Sequence, residues 1–122
     1  MVKVICDTSF LIHIANTRIK NISSIDVEIG NLEYHVPTVV LSEIQNLTHN
    51  EKKDKKSIST LEFIKKFKTI ELSGNYADKA ISEYVKNNGG IVATMDKELK
   101  NKIKEYGGSI ISISNDSIIL EK

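Results

Sequence analysis

Four acidic residues, well separated along the chain, have the chemistry of a metal site: Asp7, Glu43, Asp78 and Asp96. Asp7 and Asp96 come at or just after short apolar runs that are typical of buried strands. Glu43 and Asp78 fall in segments with helical apolar spacing, on or beside the apolar face. Carboxylates brought together repel one another unless a cation neutralises them, and hard oxygen ligands suit Mg²⁺ or Mn²⁺. The sequence therefore predicts a divalent-metal site.

Each acid also has a simpler structural interpretation. Asp7 and Asp96 could cap the N-termini of helices, because aspartate is among the favoured capping residues. Asp78 could complement a helix dipole. Glu43 is harder to explain in this way, since an acid beside an apolar helical stripe is rarely buried without a partner. The prediction of metal chemistry therefore depends on the set of four.

The elements that position these acids follow from the apolar periodicity, which switches repeatedly between strand and helix. Strands are predicted at 2–5, 33–36, 69–72, 91–94 and 109–113. Helices are predicted from Thr8, at 19–29, from Val36-Pro37-Thr38, at 58–67, at 73–88 and at 96–106. In the helix at 58–67, the apolar stripe that faces inward is expected to begin at Ile58. Alternation of this kind implies an α/β fold with a parallel sheet and helices on both faces.

A parallel sheet of this type gathers its ligands beyond the carboxyl ends of its strands. Asp7 and Asp96 are expected at two such ends. Glu43 and Asp78, on helices that follow strands, can point toward the same rim. The predicted fold therefore makes convergence of the four acids feasible.

Length and composition are those of one ordinary folded domain covering residues 1–122. The chain is 40% hydrophobic and 27% charged, without a low-complexity tract. Its single cysteine, Cys6, cannot form a disulfide framework and is interpreted as a small core residue of a cytoplasmic protein. Without a leader pattern, or an apolar run approaching roughly 18 residues, neither secretion nor membrane spanning is expected.

The formal net charge is only +1, which excludes the strongly basic surface typical of duplex DNA binders. A local group of lysines follows Asp96: Lys97, Lys100, Lys102 and Lys104. Lysines position nucleic acid through its phosphates without reading sequence, so this strip suits single-stranded or structured RNA. Any one of these lysines could equally serve only to solvate an exposed helix.

Four segments, in this order, carry a resemblance to a known family: VICDTSFLI, VPTVVLSEI, YADKAISEYV and GIVATMDKEL. Together they resemble the PIN-domain family over nearly the whole chain. The resemblance implies a three-layer α/β/α sandwich with a central parallel sheet of about five strands. It also implies a Mg²⁺- or Mn²⁺-dependent endoribonuclease in which water activated on the metal attacks a phosphodiester.

By the same resemblance, Asp7, Glu43, Asp78 and Asp96 match the family's catalytic, metal-holding quartet. Ser9 and Thr94 match small polar positions whose expected role is to orient the metal ligands. Glu98 is a further acid near the site and a candidate extra ligand. Lys97, Lys100 and Lys104 are the candidate substrate contacts.

Two roles within the family compete: a toxin resembling VapC proteins, held by an antitoxin, and a nuclease that processes ribosomal RNA. The run VATMDKELKNKIKEYGGSIISI is slightly closer to the second, which would act on a ribosomal precursor. Since relatives often pair, a homodimer is also expected. From another class, a non-catalytic RNA-binding or ribosome-assembly module with a vestigial metal pocket is the alternative. A phosphoacceptor receiver domain is disfavoured, because a single Asp7 stands where it requires paired acids.

Overall fold

The computed structural model describes residues 2–18, 32–48 and 55–121. Within these ranges the strands are β1 (Val2–Cys6), β2 (Leu32–Pro37), β3 (Lys68–Ile70), β4 (Ile91–Ala93), β5 (Ser109–Ser114) and β6 (Ser117–Glu121). The helices are α1 (Thr8–Asn16), α2 (Thr38–Thr48), α3 (Lys55–Ile64), α4 (Ala77–Asn88) and α5 (Lys97–Glu105). The helix predicted at 19–29 lies outside the described residues.

One sheet with the strand order β3-β2-β1-β4-β5-β6 forms the middle layer. Its first five strands run parallel, and β6 returns antiparallel to β5. The predicted three-layer α/β/α sandwich around a parallel sheet is confirmed. Strand order reverses between β1 and β4, which are neighbours although a large part of the chain separates them. A crevice that can hold a ligand opens beyond such a reversal.

Strand β6 was not predicted from the sequence. The turn that precedes it consists of Asn115 and Asp116, both with left-handed backbone angles (φ of 51° and 60°). Asparagine and aspartate adopt this conformation more readily than other residues with a side chain, so the pair makes a tight hairpin without glycine. The absence of an Asn-Gly or Asp-Gly signal explains why the hairpin was missed.

Two further predictions need correction. Pro37 is the last residue of β2 and α2 begins at Thr38, whereas the helix was predicted to begin with the Val36-Pro37-Thr38 segment. Ile58, predicted to face inward, is 46% exposed, and α3 instead buries Ser57 and Thr60. The Thr60 hydroxyl donates to the backbone oxygen of Lys56 and accepts from the Asn16 amide of α1, which satisfies its polar atoms.

The core lies on both faces of the sheet, where strand residues such as Val4 and Ile110 meet helix residues such as Phe10, Ile81 and Ile103. Cys6 is fully buried among them, and burial raises the pKa of its thiol, in agreement with its interpretation as a core residue. No helix in the described part of the chain is long and apolar enough to cross a membrane.

Gly108, directly before β5, is required by close packing. A Cβ added there would lie 2.7 Å from Cγ2 of Ile103 and 2.8 Å from Cγ1 of Val85. It would also lie 3.1 Å from the backbone oxygen of Gly90. Contacts this short leave no room for a side chain between α4, α5 and the sheet.

We expect Gly108→Ala to lower the free energy of unfolding by about 1–3 kcal/mol through overpacking, as measured by urea denaturation. In an Ile103→Ala background the same substitution should cost less, because Cγ2 of Ile103 is gone. Equal costs in the two backgrounds would contradict this packing argument.

Candidate active site

The site begins with the pairing of β1 and β4. Their register matches Cys6 with Ala93, so the next residues on the two strands are Asp7 and Thr94. The Asp7 backbone N–H continues the ladder by donating to the Ala93 oxygen at 2.9 Å. Asp7 is thereby held at the carboxyl end of the sheet, where the strand order reverses.

The Asp7 side chain is only 4% exposed and is fixed by two hydroxyl groups. Its Oδ2 accepts from Ser9 Oγ at 3.0 Å and from Thr94 Oγ1 at 2.9 Å. Although Asp7 occupies the N-cap position of α1, its side chain makes no capping hydrogen bond. The capping interpretation of Asp7 is therefore wrong.

The two hydroxyl groups also organise the loop after β4. Ser9 Oγ accepts from the Met95 backbone N–H at 3.1 Å, and Thr94 Oγ1 accepts from the Asp96 backbone N–H at 3.1 Å. Each hydroxyl thus accepts from the loop and donates to Asp7. Ser9 and Thr94, predicted to orient the metal ligands, lie between Asp7 and Asp96.

Asp96 does cap a helix, as its simpler interpretation predicted. Its Oδ1 accepts from the backbone N–H of Glu98 at 2.9 Å and of Leu99 at 3.5 Å, at the start of α5. No group in the described part of the chain donates to its Oδ2. The cap therefore fixes the carboxylate and leaves one oxygen for another partner.

Glu43 joins three helices. Its Oε1 accepts from the Thr8 hydroxyl at 3.1 Å, at the start of α1. Its Oε2 accepts from the Ala77 backbone N–H at 3.0 Å, at the first residue of α4. Glu43, on α2, therefore sets the position of α4 and of Asp78, the residue after Ala77. Thr8 was missed by the sequence analysis, where it was read only as part of a helix start.

Asp78 and Asp7 both have raised pKa values. Burial contributes most to the raised pKa of Asp7, with a further rise from the charge of Glu43, while the bonds from Thr94 and Ser9 lower it. Asp78 as a residue is exposed, yet partial burial of its carboxyl raises its pKa, and the charges of Asp7 and Asp96 add to this. The contacts of Glu43 with Thr8 and Ala77 place the four acids in one region of the structure, where their charges act on one another.

Among the described residues, positive charge does not compensate for this repulsion through direct contacts. No ion pair among residues 2–18, 32–48 and 55–121 includes one of the four acids. The charge of Lys102 lowers the pKa of Asp78 somewhat, and that of nearby Glu98 raises it. The described acidic, histidine and cysteine side chains do not form a group of three or more placed to share one ion.

The lysines predicted to contact substrate have different surroundings. Lys100 and Lys104 lie 3.3 and 3.7 Å from the two carboxylate oxygens of Glu121 on β6. Ser112 donates to the same carboxylate at 2.8 Å, and these contacts lower the pKa of Glu121. Lys97, at the first residue of α5, is exposed. The missed strand β6 thus engages two of the three predicted lysines.

Fold and site together define a class: a doubly wound α/β domain with uncompensated carboxylates at the reversal of strand order. Comparison with known proteins gives the family. The chain belongs to the PIN-like domain family, whose model matches residues 4–115.

Individual relatives agree with this assignment. The chain is 37% identical to Ribonuclease VapC4 of Methanocaldococcus jannaschii, over 86% of this chain and 85% of that protein. Among solved structures, the PIN domain endonuclease Utp24 superposes with a TM-score of 0.81 at 24% identity, over 98% of this chain and 90% of that one. A domain of a functionally unknown Methanocaldococcus jannaschii protein superposes with a TM-score of 0.62 at 18% identity, over 93% and 92%. The two structural likenesses concern the fold alone.

The buried charge of Asp7 leads to a prediction about stability. In EDTA at pH 7, we expect Asp7→Asn to raise the melting temperature by several degrees, because each ~1 kcal/mol shifts it by about 3–6 °C in a domain of this size. An asparagine oxygen can still accept from Ser9 and Thr94. Asp116→Asn, in the exposed β5–β6 turn, is the matched control and should change little.

The gain in stability expected for Asp7→Asn should depend on pH. Because the pKa of Asp7 is raised in the folded protein, ionisation of this carboxyl lowers the folding stability of the wild type. This loss of stability is absent at pH values below the ordinary pKa of 3.8 and complete at pH values above the raised folded pKa. The stability difference between Asp7→Asn and wild type should therefore grow as pH rises through this window, as followed by circular dichroism. A constant difference, or a less stable variant at pH 7, would contradict the prediction.

Proposed function

We propose that this protein is a divalent-metal-dependent endoribonuclease that hydrolyses RNA phosphodiesters. One observation carries the proposal: in a PIN-like domain, four acids whose carboxyls repel one another lie at the reversal of strand order without an ion pair from the described residues. A stable protein rarely keeps such charge without a use for it. The named relative Ribonuclease VapC4 supports RNA as the substrate.

The residues present fit a hard divalent cation. The donors are carboxylate oxygens with neighbouring hydroxyls, which is the ligand chemistry of Mg²⁺ and Mn²⁺. Such ions usually take one or two carboxylates directly and reach others through water, which agrees with acids that do not converge as a tight group of three. Asp7 and Asp96 are the proposed direct ligands, with Glu43 and Asp78 completing the site. When bound, the metal would supply an activated water and stabilise developing negative charge.

The chain's own residues have separable roles in this proposal. Asp7 is held by Ser9 and Thr94, so its orientation is set before any ligand arrives. The helix cap fixes Asp96 in the same manner. Glu43 holds the start of α4 and with it Asp78. Ser9 and Thr94 are positioning residues, because they act through Asp7 and the loop at Met95 and Asp96.

Substrate and partners follow from charge and from relatives. With a net charge of +1 and two lysines engaged by Glu121, a short stretch of single-stranded or looped RNA suits this surface better than a duplex. The named relative favours the VapC-type role with an antitoxin. The ribosomal-precursor role rests on the run VATMDKELKNKIKEYGGSIISI, which is slightly closer to that group. The homodimer stays a prediction.

A cleavage assay tests the proposed function. With Mn²⁺ or Mg²⁺ and a labelled structured RNA, we expect cutting that EDTA abolishes. Asp7→Asn and Asp96→Asn should each reduce the rate by more than about 100-fold, since even partners of metal ligands typically contribute about 10- to 100-fold. The matched control Glu62→Gln, an exposed acid paired with Lys65, should cut at the wild-type rate.

A second readout of the same variants separates metal binding from turnover. Mn²⁺ should raise the melting temperature of the wild-type protein and of Glu62→Gln, but not that of Asp7→Asn. Cutting that survives both substitutions would overturn the proposed site. Metal binding without cutting would favour the alternative, a non-catalytic RNA-binding or ribosome-assembly module.

Thr94 provides a test of positioning. Thr94→Val keeps the shape but removes the hydroxyl that donates to Asp7, so we expect kcat to fall by about 10- to 100-fold while KM changes little. Thr94→Ser retains the hydroxyl and should recover most of the rate. Equal losses in the two variants would show that packing, rather than the hydrogen bond, matters at this position.

A further inference from the structure

A cavity of about 260 Å³ has Glu43 in its lining. Helix α2 forms one wall, with Glu43, Ser42 and Asn46, and the segment between β3 and α4 forms the other, with Leu72 and Asn75. Glu43 belongs to both the site and the cavity, because its Oε1 bonds to Thr8 beside Asp7. A ligand in the cavity would therefore lie next to the reacting centre.

The lining of this cavity matches a neutral, planar polar group. Asn46 and Asn75 each offer amide donors and a carbonyl acceptor, and neither amide bonds to another described residue. Val39 and Leu72 add apolar surface. The described residues that line the cavity include no lysine or arginine, and Glu43 repels anions. A phosphate group is disfavoured here, whereas a nucleobase has the donors, acceptors and apolar faces that the lining matches.

The neighbouring residue Tyr76 favours the same class of ligand. It is 73% exposed, directly after Asn75 and two residues before Asp78. An exposed aromatic ring at this place can stack on an unpaired base, the usual way in which proteins bind single-stranded RNA. One RNA strand could place a base in the cavity beside Asn75 and stack the neighbouring base on Tyr76, with its backbone near the four acids.

The geometry points to a nucleobase subsite, in which Asn46 and Asn75 hold a base of the RNA strand adjacent to the bond that is cut. This inference rests on the proposed function for its substrate, and it adds how that substrate is selected. Since amide groups distinguish patterns of donors and acceptors, the subsite would give the enzyme a preference for one base beside the cut.

Side-chain NMR in EDTA tests the subsite without any need for turnover. On ¹⁵N-labelled protein, the amide signals of Asn46 and Asn75 are assigned from their loss in the corresponding alanine variants. We expect titration with the four nucleoside 5′-monophosphates to shift these signals, and at least one nucleotide to bind more tightly than the others. Ribose 5-phosphate, which lacks the base, should leave them unshifted.

The variants make the test specific. Asn46→Ala and Asn75→Ala should each weaken nucleotide binding by about three- to tenfold, the value of one neutral hydrogen bond. Gln45→Ala, an exposed amide one position earlier on α2 that lines a different cavity, should bind as wild type. Unshifted Asn46 and Asn75 signals, or equal shifts with ribose 5-phosphate, would overturn the base subsite.

Cleavage provides the second arm and separates the two proposals. The substrates are four short RNAs that differ only in the base beside the cut. Asn46→Ala and Asn75→Ala should each reduce the ratio of kcat/KM between the best and the worst substrate by about three- to tenfold relative to the wild type. An equal loss on all four substrates would indicate a structural role and overturn the inference. Absence of metal-dependent cutting would refute the proposed nuclease, and the NMR result would still decide whether the cavity binds a base.

Discussion

The arrangement of the site depends on one contact, the pairing of β1 with β4 in the register that matches Cys6 with Ala93. This register places Asp7 beside Thr94, and the Thr94 hydroxyl then bridges Asp7 and the backbone of Asp96. A slip by one residue would turn every side chain of the strand to the opposite face of the sheet. It would also bring charged Lys3 or Asp7 to a position within the buried apolar run Val4–Cys6, where a charge is costly, so the core and the site are specified by the same pairing.

The local contacts of the acids stabilise their positions but not their charge. Hydroxyl and backbone N–H groups donate to Asp7, Glu43 and Asp96, which lowers the cost of burying a carboxylate. Neutral donors cannot cancel the repulsion between the acids, and the pKa values of Asp7 and Asp78 remain raised. An arginine could have relieved that repulsion, and none contacts the site in the described part of the chain. In the proposed function, this unrelieved repulsion would favour the binding of a cation.

Much of the fold could be predicted because periodicity alone fixes the alternation of strands and helices. Strand ends were also reliable enough to place Asp7 and Asp96 on one rim. Three features are not encoded in the apolar periodicity. The first is the hairpin at Asn115 and Asp116, the second is the polar inner face of α3, and the third is the engagement of Lys100 and Lys104 by Glu121. Whether Asp7 or Asp96 capped its helix also required the structure, since both residues follow a predicted strand and precede a predicted helix.

The engagement of two lysines by Glu121 has a consequence for how the proposed enzyme would hold RNA. Phosphate contacts ordinarily supply most of the affinity of a nucleic-acid-binding protein, and they weaken steeply with salt. In this chain Lys100 and Lys104 are already partly neutralised, while the acids would repel the RNA backbone until the proposed cation is bound. In the proposed enzyme, affinity would then come from the metal, from the remaining lysines such as Lys97 and from contacts to the bases themselves. An enzyme built in this way would depend less on salt than a lysine-rich binder, and it would select its RNA by the bases exposed near the cut.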